Sequence, residues 1–202
     1  MRNSIVIMGA GGHSRVVADV ALACGYKKII FLDDADIVDV ELAGKIDDFV
    51  KHIGKSDFFV AIGNNAVRER VTDRLINSRA EVVSLIHPSA VIGNKVTIGK
   101  GVFVAPGVVI NTGTVIGDGT ILNTSSSVDH DCVIKEFCHI SVGSHLAGSV
   151  KVGRRTFVGA GATIINNISI SGDIMIGAGA AVIKNIEFKG TYVGVPAVKI
   201  KD

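Results

Sequence analysis

The 202-residue chain has no tryptophan, and aromatic residues make up only 5% of it. Proline is scarce, at three residues, and so is cysteine, at three. A core without large rings has to be filled by Val, Ile, Leu and Ala, which suits a repetitive geometry. Cys24, Cys132 and Cys138 are an odd set without CxxC spacing. They support neither a disulfide framework nor a zinc knuckle and point to a reducing compartment. No run approaches the roughly 18 apolar residues that a membrane span needs. The short apolar run Ile5–Met8 passes directly into glycines rather than into a signal-peptide cleavage site. A net charge of +2 gives no electrostatic case for nucleic acid or an acidic membrane surface. The expectation is a cytoplasmic protein.

What is abundant is glycine, 24 residues of it, and aliphatic side chains in register. Every sixth residue from Ile92 is Ile, Leu or Val: Ile92, Ile98, Val104, Ile110, Ile116, Leu122, Val128, Ile134, Ile140, Leu146, Val152, Val158, Ile164, Ile170, Ile176 and Val182. The residue after is often small, as at Gly93, Gly99, Gly117, Gly153, Gly159 and Gly177, and another small residue often follows two places later. A period of six fits neither a helix nor a plain strand. It fits a short strand plus a turn, wound into a parallel β-helix. One aliphatic side chain per face fills the narrow interior, the adjacent small residue turns the corner, and three faces make a coil of eighteen residues. The repeat alone is equally consistent with a purely structural solenoid.

Residues 1–87 read differently, as a small Rossmann-like α/β domain with a parallel sheet. Strands are predicted at Ser4–Met8, Ile29–Leu32, Phe58–Ile62 and Glu81–Ile86, with helices after the first and over Ala66–Arg79. Gly9-Ala10-Gly11-Gly12-His13-Ser14 joins the first strand to its helix, where backbone N–H groups and the helix terminus favour an anion. Asp33 ends the second strand, twenty-two residues after Gly11, where an acid often meets a ribose hydroxyl. Ser14 replaces the third glycine of the dinucleotide fingerprint, so a nucleotide diphosphate is preferred over NAD. A tight turn without a ligand is the alternative. Pro88 biases His87 away from helix and marks the boundary, with the β-helix and a terminal cap over 88–202.

Of six histidines, His52 reads as a surface residue and His87 as a linker residue. His130, His139 and His145 form a polar island in the aliphatic repeat and should all point away from the interior. His130 lies between Asp129 and Asp131, and a carboxylate beside an imidazole orients it as a general base. Gly148 is one coil further on, where its N–H is placed to donate to a thioester oxyanion. Zinc is the rival reading for the three histidines. His139 and His145 are six apart, on successive faces, and splay rather than converge. No metal is expected. Cys132 and Cys138, a hexad apart, follow the repeat and are not nucleophiles.

These residues, together with Phe31-Leu32-Asp33-Asp34, Ala61-Ile62-Gly63-Asn64-Asn65, Asn123-Thr124-Ser125-Ser126 and Gly194-Val195-Pro196-Ala197, resemble the sialic-acid O-acetyltransferase type of sugar O- and N-acyltransferase over nearly the whole chain. The likeness is greatest to bacterial UDP-4-amino-sugar N-acetyltransferases of surface-glycan biosynthesis. The resemblance implies an acetyl-CoA-dependent enzyme with a left-handed β-helix, assembled as a homotrimer with active sites between subunits. It implies UDP-sugar contacts at Gly11, Gly12, His13, Asp33, Asp34 and Gly63, and acetyl-CoA contacts at His139, Ala160 and Ala178. It implies His130 as the base that deprotonates the acceptor, with Asp131 raising its basicity. Asp is shorter than the Glu often found there, which leaves Asp129 as an alternative partner. An O-acetyltransferase acting on a sugar or nonulosonic-acid hydroxyl and a non-catalytic nucleotide-sugar-binding scaffold are the other readings.

Overall fold

The computed structural model describes residues 2–35 and 40–201. The chain opens with β1 (Ser4–Met8), α1 (Gly12–Ala23), β2 (Lys28–Leu32), β3 (Leu42–Gly44), a 3₁₀ helix over Ile46–His52, β4 (Asp57–Val60) and α2 (Asn65–Asn77). The sheet order is β3-β2-β1-β4, all parallel. Ile5, Val6, Ile7 and Met8 of the central β1 are fully buried because both faces are covered. One face packs with Ile30, Leu32, Phe49, Val71 and Leu75 in a core of its own. The other packs through Val17, Val20 and Phe59 into the core of the second half. Of the periodic residues in α1, Val17, Val20 and Ala21 are buried, whereas Val16 and Leu22 face solvent.

The strand expected over Glu81–Ile86 is divided between the two halves. Val82 bridges Phe58 at the edge of the first sheet. Leu85–Ile86 pairs instead with Phe103–Val104 and is the first rung of the second half. The β3 strand was not foreseen, since Leu42-Ala43-Gly44 is too short to carry an alternating pattern.

From there the chain is a parallel β-solenoid. Pairings such as Val115 with Val133 and Val133 with Lys151 give an eighteen-residue coil, as the hexad period requires. Three faces result. The first runs through Leu85–Ile86, Phe103–Val104, Ile121–Leu122, His139–Ile140, Phe157–Val158 and Ile174–Ile176. The second includes Val109–Ile110, Ser127–Val128, His145–Leu146 and Thr163–Ile164, and the third Val115–Ile116, Val133–Ile134 and Lys151–Val152. Gly190–Val193 extends the first face and forms a hairpin with Val198–Lys201 that closes the end.

The hexad residues from Val104 to Val182 are buried, but Ile92 is 39% exposed in the first coil, which has no coil beneath it. The interior also holds a second column two places earlier, including Val108, Thr114, Thr120, Ser126, Cys132, Cys138 and Ser144, all fully buried. Of its polar members, Ser144 Oγ donates back to the Ser141 carbonyl and Ser126 Oγ has no partner among the described residues, whereas others donate to the next coil, Thr114 Oγ1 to the Asp129 carbonyl at 2.7 Å and Cys138 Sγ to that of Gly153 at 3.1 Å. This is why the cysteines fit the repeat, and burial pushes the Cys138 thiol up to about 12.

The corners also differ from the expectation. The left-handed backbone conformation falls three residues after each hexad residue from Ile92 to Ile176, at Ser125, Asp131 and Phe137 as well as at Gly119 and Gly161. The small residue directly after the hexad position serves close stacking instead: a Cβ on Gly93 would lie 2.8 Å from the Thr112 nitrogen of the next coil.

Candidate active site

His130 sits in the corner between the second and third faces, in the turn from Ser127–Val128 to Val133–Ile134. Its side chain is about half exposed (53%), and its Nδ1 stands 2.9 Å from Asp131 Oδ2. An ionised carboxylate only accepts, so Nδ1 carries the ring proton and Nε2 is left as the basic nitrogen. The hydrogen bond to Asp131, and then the charge of Asp129, raise the imidazole above its ordinary value. Asp129 does not touch the ring. Its Oδ1 accepts from Asn111 Nδ2 at 2.7 Å and from the His130 backbone N–H at 2.8 Å, which holds its carboxyl below the usual range. Between the two aspartates, the geometry therefore gives Asp131 to the imidazole.

Gly148 lies directly against this ring, as the coil spacing indicates. A Cβ there would run into His130 Nε2 and Cε1. The glycine keeps the basic nitrogen uncovered. On the adjoining second face, His145 Nδ1 pairs with Ser127 Oγ at 2.8 Å and remains exposed at the ring.

His139, like the other two, points away from the solenoid interior, but it does not face solvent. It points off the first face, but the N-terminal half covers it and leaves 8% exposed. His13, at the start of α1, lies 6.3 Å from it between ring centres, and Phe157 packs edge-on at 4.9 Å. Asn123 Nδ2 is 3.3 Å from His139 Nε2. His13 in turn stands edge-on to Phe103 at 5.2 Å. Burial, reinforced by the nearby Arg68 charge, drives His13 down to about 4 and His139 down to about 3, so both are neutral at physiological pH. The Gly63 backbone faces the His139 ring, yet His139 Nδ1 and His13 Nε2 have no hydrogen-bond partner in this seam. Ala160 and Ala178 follow one another in the corner between the first and second faces, Ala160 half-buried and Ala178 exposed.

In the N-terminal half, Gly11 and Gly12 are exposed at the start of α1, and no side chain caps that terminus. α2, by contrast, is capped by Asn64, which accepts the Val67 N–H. The open terminus of α1 is thus the one suited to an external anion. A cleft of about 350 Å³ opens on the α2 side of the same sheet, lined by Gly9, Asp33, Asp34, Ile62, Arg70 and Arg74 among others. Asp33 is not free to meet a ligand with both oxygens: Oδ2 accepts the Ala10 N–H at 2.7 Å and Oδ1 the Ala35 N–H at 2.9 Å. It shapes the glycine-rich turn. Asp34 likewise accepts from the Ile46 N–H. Gly63 is exposed at the end of β4, with open space where a Cβ would stand.

Sequence reasoning missed the residue that joins the halves. Arg68, on α2, is 1% exposed and has no carboxylate partner among the described residues. Its guanidinium donates to the carbonyls of Ile62, Gly63, Gly119, Phe137 and Cys138 and to Asn65 Oδ1, at 2.7–3.2 Å. The one signal in the sequence is an arginine in the apolar stripe of α2 with Val71 and Leu75.

The folded parts therefore separate into groups. His13, Gly63 and His139 meet at the first face, with the exposed Gly11 and Gly12 preceding His13 in the chain. His130, Asp131 and Gly148 stand together at the corner opposite that face.

A hexapeptide-repeat solenoid carrying a corner imidazole–carboxylate pair, preceded by a parallel-sheet domain with an open helix terminus, defines an acyltransferase class. Residues 4–75 match the PglD N-terminal domain family, and residues 131–166 match the bacterial transferase hexapeptide (six repeats). The chain is 30% identical over 174 residues, 78% of its length and 76% of the relative's, to GDP-perosamine N-acetyltransferase of Escherichia coli O157:H7. It is 32% identical over 101 residues, 46% of each chain, to UDP-N-acetylbacillosamine N-acetyltransferase of Bacillus subtilis (strain 168). The acetyltransferase domain of PglB from Neisseria gonorrhoeae FA1090, solved with acetyl coenzyme A, superposes with a TM-score of 0.94 at 33% identity, covering 99% of this chain and 100% of that one. The chain belongs to the family of PglD-like sugar N-acetyltransferases, acyltransferases that use acetyl-CoA.

Proposed function

We propose that this protein transfers the acetyl group of acetyl-CoA to the amino group of a nucleotide-linked amino sugar, a UDP-linked 4-amino-deoxy sugar for a bacterial surface glycan, with His130 as general base and no covalent enzyme intermediate. The observation that carries the reading is the His130–Asp131 pair, 2.9 Å apart, with Nε2 facing Gly148. In the reaction the acceptor nitrogen bonds to the thioester carbonyl carbon, its proton passes to His130 Nε2, and the carbon–sulfur bond breaks to release the CoA thiolate. The imidazolium then returns the proton to the departing sulfur. The Gly148 N–H stabilises the carbonyl oxygen as charge develops on it. The two cysteines nearest this site in sequence are buried in the interior, which favours direct transfer.

Residues 1–87 bind the nucleotide sugar: its diphosphate at Gly11, Gly12 and His13, and its nucleoside in the cleft beside Asp33, Asp34 and Gly63. The uncapped α1 terminus supports this placement. Residues 88–202 carry the acyl donor, with His139, Ala160 and Ala178 along its path. The nucleotide-sugar group and His130 lie on opposite sides of one solenoid, so a complete site needs a second copy. Three copies around an axis parallel to the solenoid would bring the His130 corner of one to the first face of the next, which is the basis for a homotrimer. The relatives use a UDP-sugar and a GDP-sugar, so the nucleotide is tested directly. Three free cysteines, none spaced as a disulfide framework, support a reducing, cytoplasmic setting.

The test is CoA thiol release over a panel of UDP- and GDP-linked amino sugars, with His130→Ala alongside. Turnover that His130→Ala abolishes while size and CoA binding persist supports the reading. Near-normal turnover in the variant refutes the base. A hydroxylamine-labile product identifies an ester, hence an O-acetyltransferase. Ligand binding without thiol release identifies a scaffold.

A further inference from the structure

Arg68 has a place that the catalytic reading does not use. Its planar fork has five N–H donors, and every recipient but one is a backbone carbonyl. Nη1 reaches Ile62 at 2.9 Å and Gly63 at 3.2 Å, the last residues before the α2 cap. Nη2 reaches Phe137 at 2.9 Å and Cys138 at 3.1 Å, and the Cys138 carbonyl belongs to the peptide bond that leads into His139. Nε takes the Gly119 carbonyl one coil below, at 2.7 Å. A single rigid group thus fixes Gly63 against the backbone at His139.

A lysine cannot reproduce this. It is a point charge with three donors, whereas the guanidinium presents a fixed fork. An ordinary interface staple is present at the next residue: Glu69 pairs with Arg154 and, at 3.1 Å, with Arg155, which in turn holds Asp173 at 2.6 Å. Those contacts join the same two halves without touching Gly63 or His139. Burying a cation with no carboxylate partner is costly, and burial lowers Arg68 to about 10. The Glu69 pairs would hold the interface without that cost.

We propose that Arg68 is a positioning residue that keeps the nucleotide-sugar half of the site in register with the acyl-donor half. The proposal rests on the placement above of the nucleotide sugar beside Gly63 and of the acyl donor beside His139. Catalysis between two bound substrates is sensitive to misplacement of about 1 Å, which costs on the order of a hundredfold.

The test compares the full-length protein with Arg68→Lys, Asn65→Ala and Glu69→Gln. Asn65 Oδ1 accepts from Nη2 at 2.8 Å, so its removal loosens the fork while leaving the arginine its carbonyls. Arg68→Lys is expected to lower kcat roughly tenfold or more and to raise KM for the nucleotide sugar, with KM for acetyl-CoA little changed. Asn65→Ala is expected to shift the same constants in the same direction by a smaller factor, and it decides the matter if Arg68→Lys does not fold. Glu69→Gln is expected to lower the unfolding temperature without that split. Wild-type kinetics in both Arg68→Lys and Asn65→Ala, with only the unfolding temperature reduced, would overturn the proposal. If the wild-type protein acetylates no nucleotide sugar in the panel, the functional reading fails separately. Arg68 is then judged by amide exchange: faster exchange at Gly63 and His139 together in the Arg68 variant, and not in Glu69→Gln, supports it, and unchanged exchange refutes it.

Discussion

Asp131 Oδ2 holds His130 Nδ1 at 2.9 Å although the two residues are neighbours in the chain, because Asp131 adopts a left-handed φ of 56° at the corner. The turn that every hexad needs is here used to fold a carboxylate back onto the imidazole before it. The side chain is short, but the backbone supplies the reach.

On the proposed mechanism this pair sets the acid limb of the rate. The Asp131 hydrogen bond raises His130 above its ordinary value, so the free base is lost at a higher pH than in an isolated imidazole. Asp131→Asn is expected to move the acid limb of kcat/KM to lower pH and to reduce the plateau by about 10²–10⁴, the range typical of general-base effects. A pH–rate profile of both proteins checks it. An unmoved limb would assign the titration to another group.

Gly148 offers a separate probe of the same nitrogen. Its backbone does not require glycine by φ, since it is not among the positive-φ residues of the chain. The three atoms nearest to a Cβ there all belong to the His130 ring. Gly148→Ala is therefore expected to fold normally and bind CoA, yet to lose most of its turnover, close to the level of His130→Ala. Circular dichroism and thiol-release assays on the two variants make the comparison.

The buried histidines make the fold acid-sensitive. Their pKa values in the folded protein, about 4 for His13 and about 3 for His139, lie below the 6.5 expected when unfolded. Between those values the unfolded chain binds more protons than the folded one, so stability falls as pH drops. The contribution is complete above about 6.5 and is lost as pH falls towards 3. His139→Gln is expected to flatten part of this slope in thermal unfolding measured across that window. An unchanged slope would mean that His139 does not carry it.

The proposed division of the site between copies predicts complementation. His130→Ala lacks the base, and Gly12→Asp places a negative charge where the diphosphate is to bind. Each is expected to be inactive alone. Co-refolded together they are expected to regain a fraction of wild-type turnover, through sites that combine an intact face from one copy with an intact corner from another. No recovery in verified mixed assemblies would place both groups of residues in a site within one chain.

The hexad series determined the solenoid by itself. Side-chain volume and a period of six fit a three-faced winding that buries one aliphatic residue per face, and the eighteen-residue coil follows. The same arithmetic placed Gly148 over His130. What tertiary structure decided was the seam between the halves. The second interior column at Thr114, Cys132 and Cys138 was hidden because its residues share size rather than polarity. His139 looks identical in register to His145, yet one is covered and the other exposed, because the N-terminal half packs on the first face and not on the second. Arg68 was illegible for a related reason. An arginine in a helix ordinarily reads as a solvated charge, and only docking against the carbonyls of Gly119, Phe137 and Cys138, 51 to 70 positions away, supplies the partners that make its burial possible. Local periodicity is written in consecutive residues, whereas the contacts that assemble a site come from segments whose meeting depends on how two folded halves fit.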